Sequence, residues 1–275
     1  MIRDHADASL VTIVDPTRYG RMMVLSNDRY MGQAFMTYGE YSESEVELWR
    51  QLIPPHAVVA DIGANIGAHT VAFARLVPDG AVIAFEPLPF LFAMLQGNIA
   101  LNGLTNVRAF NEAVGAEHGK LTVPAIDYTK QDNYGGLCLI GHNQGNPTPM
   151  VRLDDRLAVC HFLKVDVEGM EQSVLEGAQR IISQCRPALY LENNPGPGQQ
   201  TLIDYVHGLG YDIWWHRAPL FNPENLNGID APDEHTLSVC SHNILCLPSE
   251  GQHDIRGLES IPPTPQENPE NGEGV

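Results

Sequence analysis

The sequence predicts an α/β protein whose mostly parallel sheet is covered by helices on both faces. Three observations predict it. From residue 56 onward, short runs rich in Val, Ile, Leu and Phe alternate with segments of helical period. The first of these runs leads straight into a glycine-bearing turn that opens a helix. The second ends in an acid, Glu86, where a ligand crevice would lie.

In chain order, residues 10–14 and 22–25 are β-like runs separated by the turn-like Asp15-Pro16-Thr17-Arg18-Tyr19-Gly20, so residues 1–40 read as an N-terminal β-hairpin extension. A helix follows, with Ser42 and Glu45 at capping-box spacing and Pro54-Pro55 as its stop. Parallel strands are expected at 57–62, Ala81–Phe85, Val107–Phe110, 161–166 and Ala188–Glu192, each apolar nearly throughout, as in strands buried on both faces. Between them, Leu88, Leu91, Phe92, Leu95 and Ile99 fall on one helical face, as do Met170, Val174, Ala178, Ile181 and Ile182. A helix over 199–209 ends at Gly210, and 211–215 and 238–247 read as closing strands. The α/β domain thus covers residues 41–248. Within it, 116–160 forms a hairpin and loop insertion, with β-like 121–123 and 151–153 around the polar loop 141–149. Residues 249–275, rich in Pro, Glu, Gly and Asn, read as a disordered acidic tail.

Composition narrows the function. A hydrophobic fraction of 43% over 275 residues supports one sizeable core, and two domains at most. The net charge of −18 repels phosphate backbones and anionic lipid heads, so neither nucleic acid nor a membrane is an expected partner. Five scattered cysteines (Cys138, Cys160, Cys185, Cys240, Cys246) with no C-x-x-C pair point to reduced thiols in a cytoplasmic protein. No apolar stretch approaches the ~20 residues of a membrane span. The first seven residues lack the order of a signal peptide. A monomer or homodimer is expected.

The stretch from Val58 to Thr70 carries the strongest chemical signal. Gly63 permits a sharp turn and close approach of backbone to a ligand, and Gly67 lets the first helix pack closely on the strand. The helix N-terminus offers unpaired N–H groups and partial positive charge to the crevice. Nineteen residues after Gly67, Glu86 stands where a carboxylate can accept from both hydroxyls of a ribose. A nicotinamide dinucleotide would want glycine where Asn65 stands, and Asp61 adds negative charge near the phosphate site. Both favour a nucleoside that carries a cationic group and no phosphate.

At these residues the sequence resembles the FkbM family of S-adenosylmethionine-dependent methyltransferases. Two segments carry the likeness: Val59-Ala60-Asp61-Ile62-Gly63-Ala64-Asn65-Ile66-Gly67 with Ala84-Phe85-Glu86-Pro87, and Leu153-Asp154-Asp155 followed by Phe162-Leu163-Lys164-Val165-Asp166-Val167-Glu168-Gly169-Met170-Glu171. The second is the more specific, because glycine turns recur in many folds. The likeness covers roughly residues 38–195. It implies a class I methyltransferase, Rossmann-like sheet of seven strands with the last antiparallel. It implies S-adenosylmethionine as cofactor, with Asp61, Gly63, Asn65 and Gly67 along its methionine part, Glu86 at the ribose, and Asn111, Glu112 and Ala113 at the adenine. Thr70, Pro87 and Asp166 complete the implied cofactor set. It also implies O-methylation of a small hydroxylated acceptor, a sugar, glycan intermediate or secondary metabolite.

A hydroxyl acceptor must lose its proton, so a carboxylate near the crevice is sought as general base. Asp166 and Glu168 after the fourth parallel strand and Glu192 after the fifth are the catalytic candidates. Glu171, also a candidate, reads at least as well as an acid favoured by a helix dipole. Lys164 pairs with a carboxylate in a structural or a catalytic role, and Asp154 and Asp155 either orient substrate or form an exposed acidic pair. Carboxylates near Asp166 suit Mg²⁺ in their chemistry, but no metal is assigned, and the eleven histidines form no ligand-spaced pair. The aromatic Trp214-Trp215-His216 reads as strand packing or as a lid over a sugar ring. Two alternatives stay open: an NAD-dependent oxidoreductase, and a cofactor-binding protein that has lost catalysis.

Overall fold

The computed structural model describes residues 9–253 and 255–264. The first seven residues, read as lacking a signal sequence, lie outside it, as do residues 265–275 of the expected tail.

Strands β1 (Val11–Thr17) and β2 (Gly20–Leu25) pair as an antiparallel hairpin whose turn is tighter than the six-residue one expected. Helices α1 (Met31–Tyr38) and α2 (Glu43–Leu52) follow, and α1 falls in a region read only as hairpin. The parallel repeat then runs β3 (Val58–Ile62), α3 (Ala68–Leu76), β4 (Ala81–Phe85), α4 (Pro89–Leu101) and β5 (Val107–Phe110). In place of a crossover helix, β6 (Ala113–Val114), β7 (Gly119–Val123) and β8 (Asn146–Val151) form a separate three-stranded sheet. Residues 146–149 of the loop expected at 141–149 therefore belong to β8. The repeat resumes with β9 (Phe162–Val165), α5 (Glu171–Glu176), α6 (Gln179–Cys185), β10 (Ala188–Glu192) and α7 (Gln199–Gly208). The chain closes through β11 (Tyr211–Pro219), α8 (Glu234–Ser238), β12 (Cys240–Pro248) and β13 (Glu259–Ile261).

The main sheet has the order β13-β11-β12-β10-β9-β3-β4-β5. Strands β10, β9, β3, β4 and β5 are mutually parallel, and β12 runs antiparallel to both β10 and β11. Among the described residues the sheet thus has eight strands, where seven were expected. The eighth, β13, comes from the segment read as disordered tail. There Ile261 pairs opposite Ile213 and packs on the main core, while Ile255 and Leu258 pack on a second cluster. Three apolar anchors in a polar segment suffice when a sheet edge is open to receive them.

Two further expectations change. Ser42 is the residue before α2, but its backbone is left-handed (φ 48°) and its side chain caps nothing, so no capping box forms. The single helix expected across 170–182 is broken at Gly177-Ala178, where Gly177 packs directly on the Gly115 carbonyl.

Core packing fixes where the site lies. Trp49 of α2 stacks near Phe73 of α3 at 4.5 Å between ring centroids and meets Tyr190 of β10 edge-on at 5.2 Å. These large buried rings hold α2 and α3 side by side over β9 and β10. The N-terminal hairpin is tied in by Asn98 of α4. Its amide donates to the Met23 and Ile66 carbonyls at 3.0 and 2.8 Å, and its oxygen accepts from Met23 N–H at 2.6 Å. Losing that side chain would leave three backbone groups unmatched, each costing about 1–3 kcal/mol where buried.

Candidate functional site

A cavity of about 430 Å³ opens beyond the carboxyl ends of the parallel strands. That volume is within the ordinary range for a small-molecule site. Its floor is the turn joining β3 to α3, where Gly63, Asn65 and Gly67 are all left-handed (φ 80°, 52° and 91°). Three such residues in five cannot continue a strand or start a helix, so the chain folds into a compact bend. Glu86, at the end of β4, clasps this bend. Its carboxylate accepts the Asn65 N–H at 2.8 Å and the Leu88 N–H at 2.8 Å, one on each oxygen. Burial first of all, opposed in part by those two N–H groups, pushes the Glu86 carboxyl up to about 7.

The sequence-selected residues separate into two groups. Gly63, Asn65, Glu86, Pro87, Glu112, Ala113, Asp166, Glu168 and Glu192 line the cavity. Asp61, Gly67, Thr70 and Asn111 do not; each acts from behind it. Asp61 is fully buried, accepting from the Thr70 hydroxyl at 2.6 Å and facing Lys164 Nζ at 3.4 Å. Gly67 makes room for α4 and not for the strand, since a β-carbon there would stand 2.6 Å from Leu95 Cδ1. Asn111 donates to the Glu86 and Pro87 carbonyls at 2.8 and 3.1 Å and fixes the end of β4. Glu112 is gripped by Arg156 through two bonds of 2.7 and 2.6 Å.

The three catalytic candidates converge. Oxygens of Asp166, Glu168 and Glu192 all lie within 4.8 Å of one another, close enough for a single cation to bridge them. Lys164 Nζ already stands 3.2 Å from Asp166. Burial and the neighbouring Asp166 and Glu171 raise the Glu168 carboxyl to about 7, and burial with Asp166 and Glu168 raises Glu192 to about 10. Burial disfavours the Lys164 charge, yet Asp166, Asp61 and Glu45 together outweigh it and push that group upward.

Other candidates take structural places. Glu171 accepts the Val167 and Gly169 N–H groups at 3.3 and 3.1 Å and so shapes the turn that carries Glu168. Asp154 caps α6, accepting from the Arg180 and Ile181 N–H groups at 2.8 and 3.0 Å, and Asp155 faces His118 at 2.9 Å. His216 of β11 pairs with the Tyr190 hydroxyl of β10 at 2.7 Å, and none of Trp214, Trp215 and His216 lines the cavity.

Several lining residues escaped the sequence reading: Tyr41, Glu45, His69, Asn243 and most of a strap over residues 133–139, whose Gly135 lies against Asn65. Glu45 carried a usable signal, because it shares an α2 face with Trp49 at i, i+4, an odd place for a charge. His69 and Phe73 repeat the pattern on α3.

Comparison with known proteins identifies the family. The methyltransferase FkbM domain family matches residues 61–213, which span β3 to β11. Methyltransferase 1 of Beauveria bassiana is 31% identical over 147 residues, covering 45% of this chain and 59% of that protein, so the chain spans less than two thirds of that relative. Methyltransferase sdnD of Sordaria araneosa is 28% identical over 201 residues, 60% of this chain and 78% of the relative. The crystal structure of methyltransferase FkbM from Methylobacillus flagellatus KT aligns at a TM-score of 0.49 and 17% identity, over 70% of this chain and 44% of that one. With a family match over more than half its length, the chain belongs to the FkbM methyltransferases.

Proposed function

We propose that this chain is an S-adenosylmethionine-dependent O-methyltransferase that acts on a hydroxyl of a small acceptor, a sugar, glycan intermediate or secondary metabolite. One observation carries the reading: a buried acid that holds the glycine bend, Glu86, shares a cavity with three converging carboxylates.

The residues present fit the cofactor. Each Glu86 oxygen accepts one backbone N–H and keeps lone-pair capacity for a ribose hydroxyl. Gly63, Asn65 and Pro87 would flank the nucleoside, with Glu112 and Ala113 at the base, and Asp61, Gly67, Thr70 and Asn111 supporting from behind. When bound, S-adenosylmethionine supplies a methyl group already activated by its sulfonium, so the protein's share is alignment and proton removal. Glu168, whose affinity for a proton is near neutrality, takes the proton of the acceptor hydroxyl. Glu192 keeps its own proton at neutral pH and donates a hydrogen bond that orients the acceptor oxygen. Asp166, between Lys164 and the other two acids, holds the cationic side of the site. Leu220, Val239 and Met170 provide the apolar part of the acceptor wall.

The test is transfer of an isotopically labelled methyl group from S-adenosylmethionine into small-molecule and glycan extracts, with the product identified by mass and fragmentation. A labelled methyl ether is the expected product. Label recovered on nitrogen, sulfur or carbon would overturn the O-methyl assignment, and no label from any extract would overturn the activity.

A further inference from the structure

Glu45 and His69 meet inside the cavity wall. Glu45 comes from the first turn of α2 and His69 from the first turn of α3. One Glu45 oxygen is occupied by the Ser241 hydroxyl and by the Asn243 amide at 3.1 Å. The other stands 3.5 Å from His69 Nε2. The His69 side chain is 9% exposed, and its Nε2 has no hydrogen-bond partner among the described residues. Buried polar atoms are as a rule hydrogen-bonded, so something is expected to meet this nitrogen in the working protein.

We infer that Glu45 and His69 form the recognition site for the primary ammonium at the methionyl end of the bound cofactor. This rests on the S-adenosylmethionine reading above. Three features select that group. First, the position suits it: Asn65, which Glu86 holds at the sugar end, and His69, in the first turn of α3 just past the bend, line the same cavity. Second, the charge suits it. Asp61, Asp166 and Glu45 all act on Lys164, three acids against the one Lys or Arg that lines the cavity among the described residues, so a bound cation offsets an excess of carboxylates. Third, the geometry suits it. A carboxylate oxygen and an imidazole nitrogen 3.5 Å apart offer two acceptors to one donor-rich group, and an ammonium has three donors. Burial, and then Lys164, disfavour a charge on His69, which leaves its ring neutral and able to accept. Tyr41, whose ring lies 5.7 Å from His69, adds an aromatic wall that favours a cation.

The test measures binding by calorimetry, with no turnover required. Wild-type protein is titrated with S-adenosylhomocysteine, with its deaminated analogue, and with 5′-methylthioadenosine, which lacks the amino-acid end. The same titrations are made on Glu45→Gln. In the wild type, loss of the amino group should weaken binding about ten- to a hundredfold, the effect of one charged hydrogen-bonded contact. In Glu45→Gln the same loss should matter less than about twofold, as expected when the partner is gone. A wild type that binds the deaminated analogue as tightly as S-adenosylhomocysteine would overturn the inference, whatever the variant does. Tight 5′-methylthioadenosine binding in that case would leave the cofactor reading standing. If none of the three ligands binds the wild type, both readings fall together.

Discussion

The backbone of Gly63 is pressed against the carbonyl group of Asp166. A β-carbon on Gly63 would lie 1.8 Å from that oxygen, and the residue is left-handed at φ 80°. The Asp166 N–H in turn donates to the Ile62 carbonyl at 3.0 Å, so the glycine bend and the end of β9 are clamped backbone to backbone. Neither partner in the clash is a flexible side chain. Gly63→Ala should therefore lose about 3 kcal/mol or more, combining left-handed strain with displacement of Asp166. Gly67→Ala should lose less, because it meets only the end of the Leu95 side chain. Urea melts of the two variants check the order, and a Gly63→Ala protein as stable as wild type would disprove the clamp.

Glu86 holds the bend and, in the proposed function, the ribose, and substitutions can separate the two. Truncation to Ala leaves the Asn65 and Leu88 N–H groups without their acceptor, at about 1–3 kcal/mol each where buried. Glu86→Ala should thus lower stability as well as cofactor affinity. Glu86→Gln keeps one acceptor oxygen but turns its NH2 against the other N–H, so it should lose about half as much stability as Glu86→Ala while weakening S-adenosylmethionine at least about tenfold. Thermal melts and calorimetry on both variants measure the two effects. Full affinity in a folded Glu86→Gln would remove residue 86 from the ribose.

Asp154 is an acid that sequence and structure read differently. Beside Asp155 in a loop it looks available to substrate, but its carboxylate accepts the Arg180 and Ile181 N–H groups at the start of α6. Asp154→Ala should lower stability by about 1–2 kcal/mol, the usual cost of a lost N-cap, and leave KM for the acceptor unchanged. A raised KM at unchanged stability would return Asp154 to the substrate site.

The same contrast runs through the whole chain. The parallel strands were legible because each is apolar on both faces, and Ala81–Phe85, Val107–Phe110 and Ala188–Glu192 stand at the ends that periodicity sets. The bend and Glu86 were legible because a strand, a turn and an acid follow in order along the sequence. Glu45, His69 and Asn243 were not, because α2, α3 and β12 meet only in space, and no local pattern records which acid faces inward. Strand β13 was hidden for a different reason. Its few apolar residues gain their burial from the open edge of β11, and composition alone carries no trace of that edge.

Asp166, Glu168 and Glu192 approach metal-binding geometry, but their charge is reduced. Burial raises Glu168 to about 7 and Glu192 to about 10, and Lys164 already faces Asp166 at 3.2 Å. A divalent cation would have to displace protons and compete with a fixed ammonium. Methyl transfer should therefore continue at an undiminished rate after exhaustive treatment with EDTA. Loss of activity that added Mg²⁺ restores would assign the trio to metal binding.

Glu192 should leave its mark on the pH dependence of stability. Its ordinary value of 4.5 is raised to about 10, by burial first and then by Asp166 and Glu168. An acid that holds its proton more tightly when folded stabilises the fold below its unfolded value, and that contribution is lost as pH rises through the folded value. Its window thus runs from about 4.5 to about 10. Below pH 6.5 the buried His69 and His216, both lowered, oppose it by adding stability as pH rises. Glu45, Glu86 and Glu168, all raised to about 7, have released most of their protons by pH 8. Between pH 7.5 and 8.5, then, Glu192 makes the largest single contribution to the slope, about 1.4 kcal/mol per pH unit from one retained proton, and nearer pH 9 the buried Cys160 and Cys246 thiols, both raised, add to it with the same sign. Wild-type stability should fall across that interval and Glu192→Gln should flatten the fall, as read from urea midpoints at fixed ionic strength. An equal slope in the two proteins would mean that residue 192 is already ionised at neutral pH, and it would then serve the acceptor as a hydrogen-bond acceptor and not as a donor.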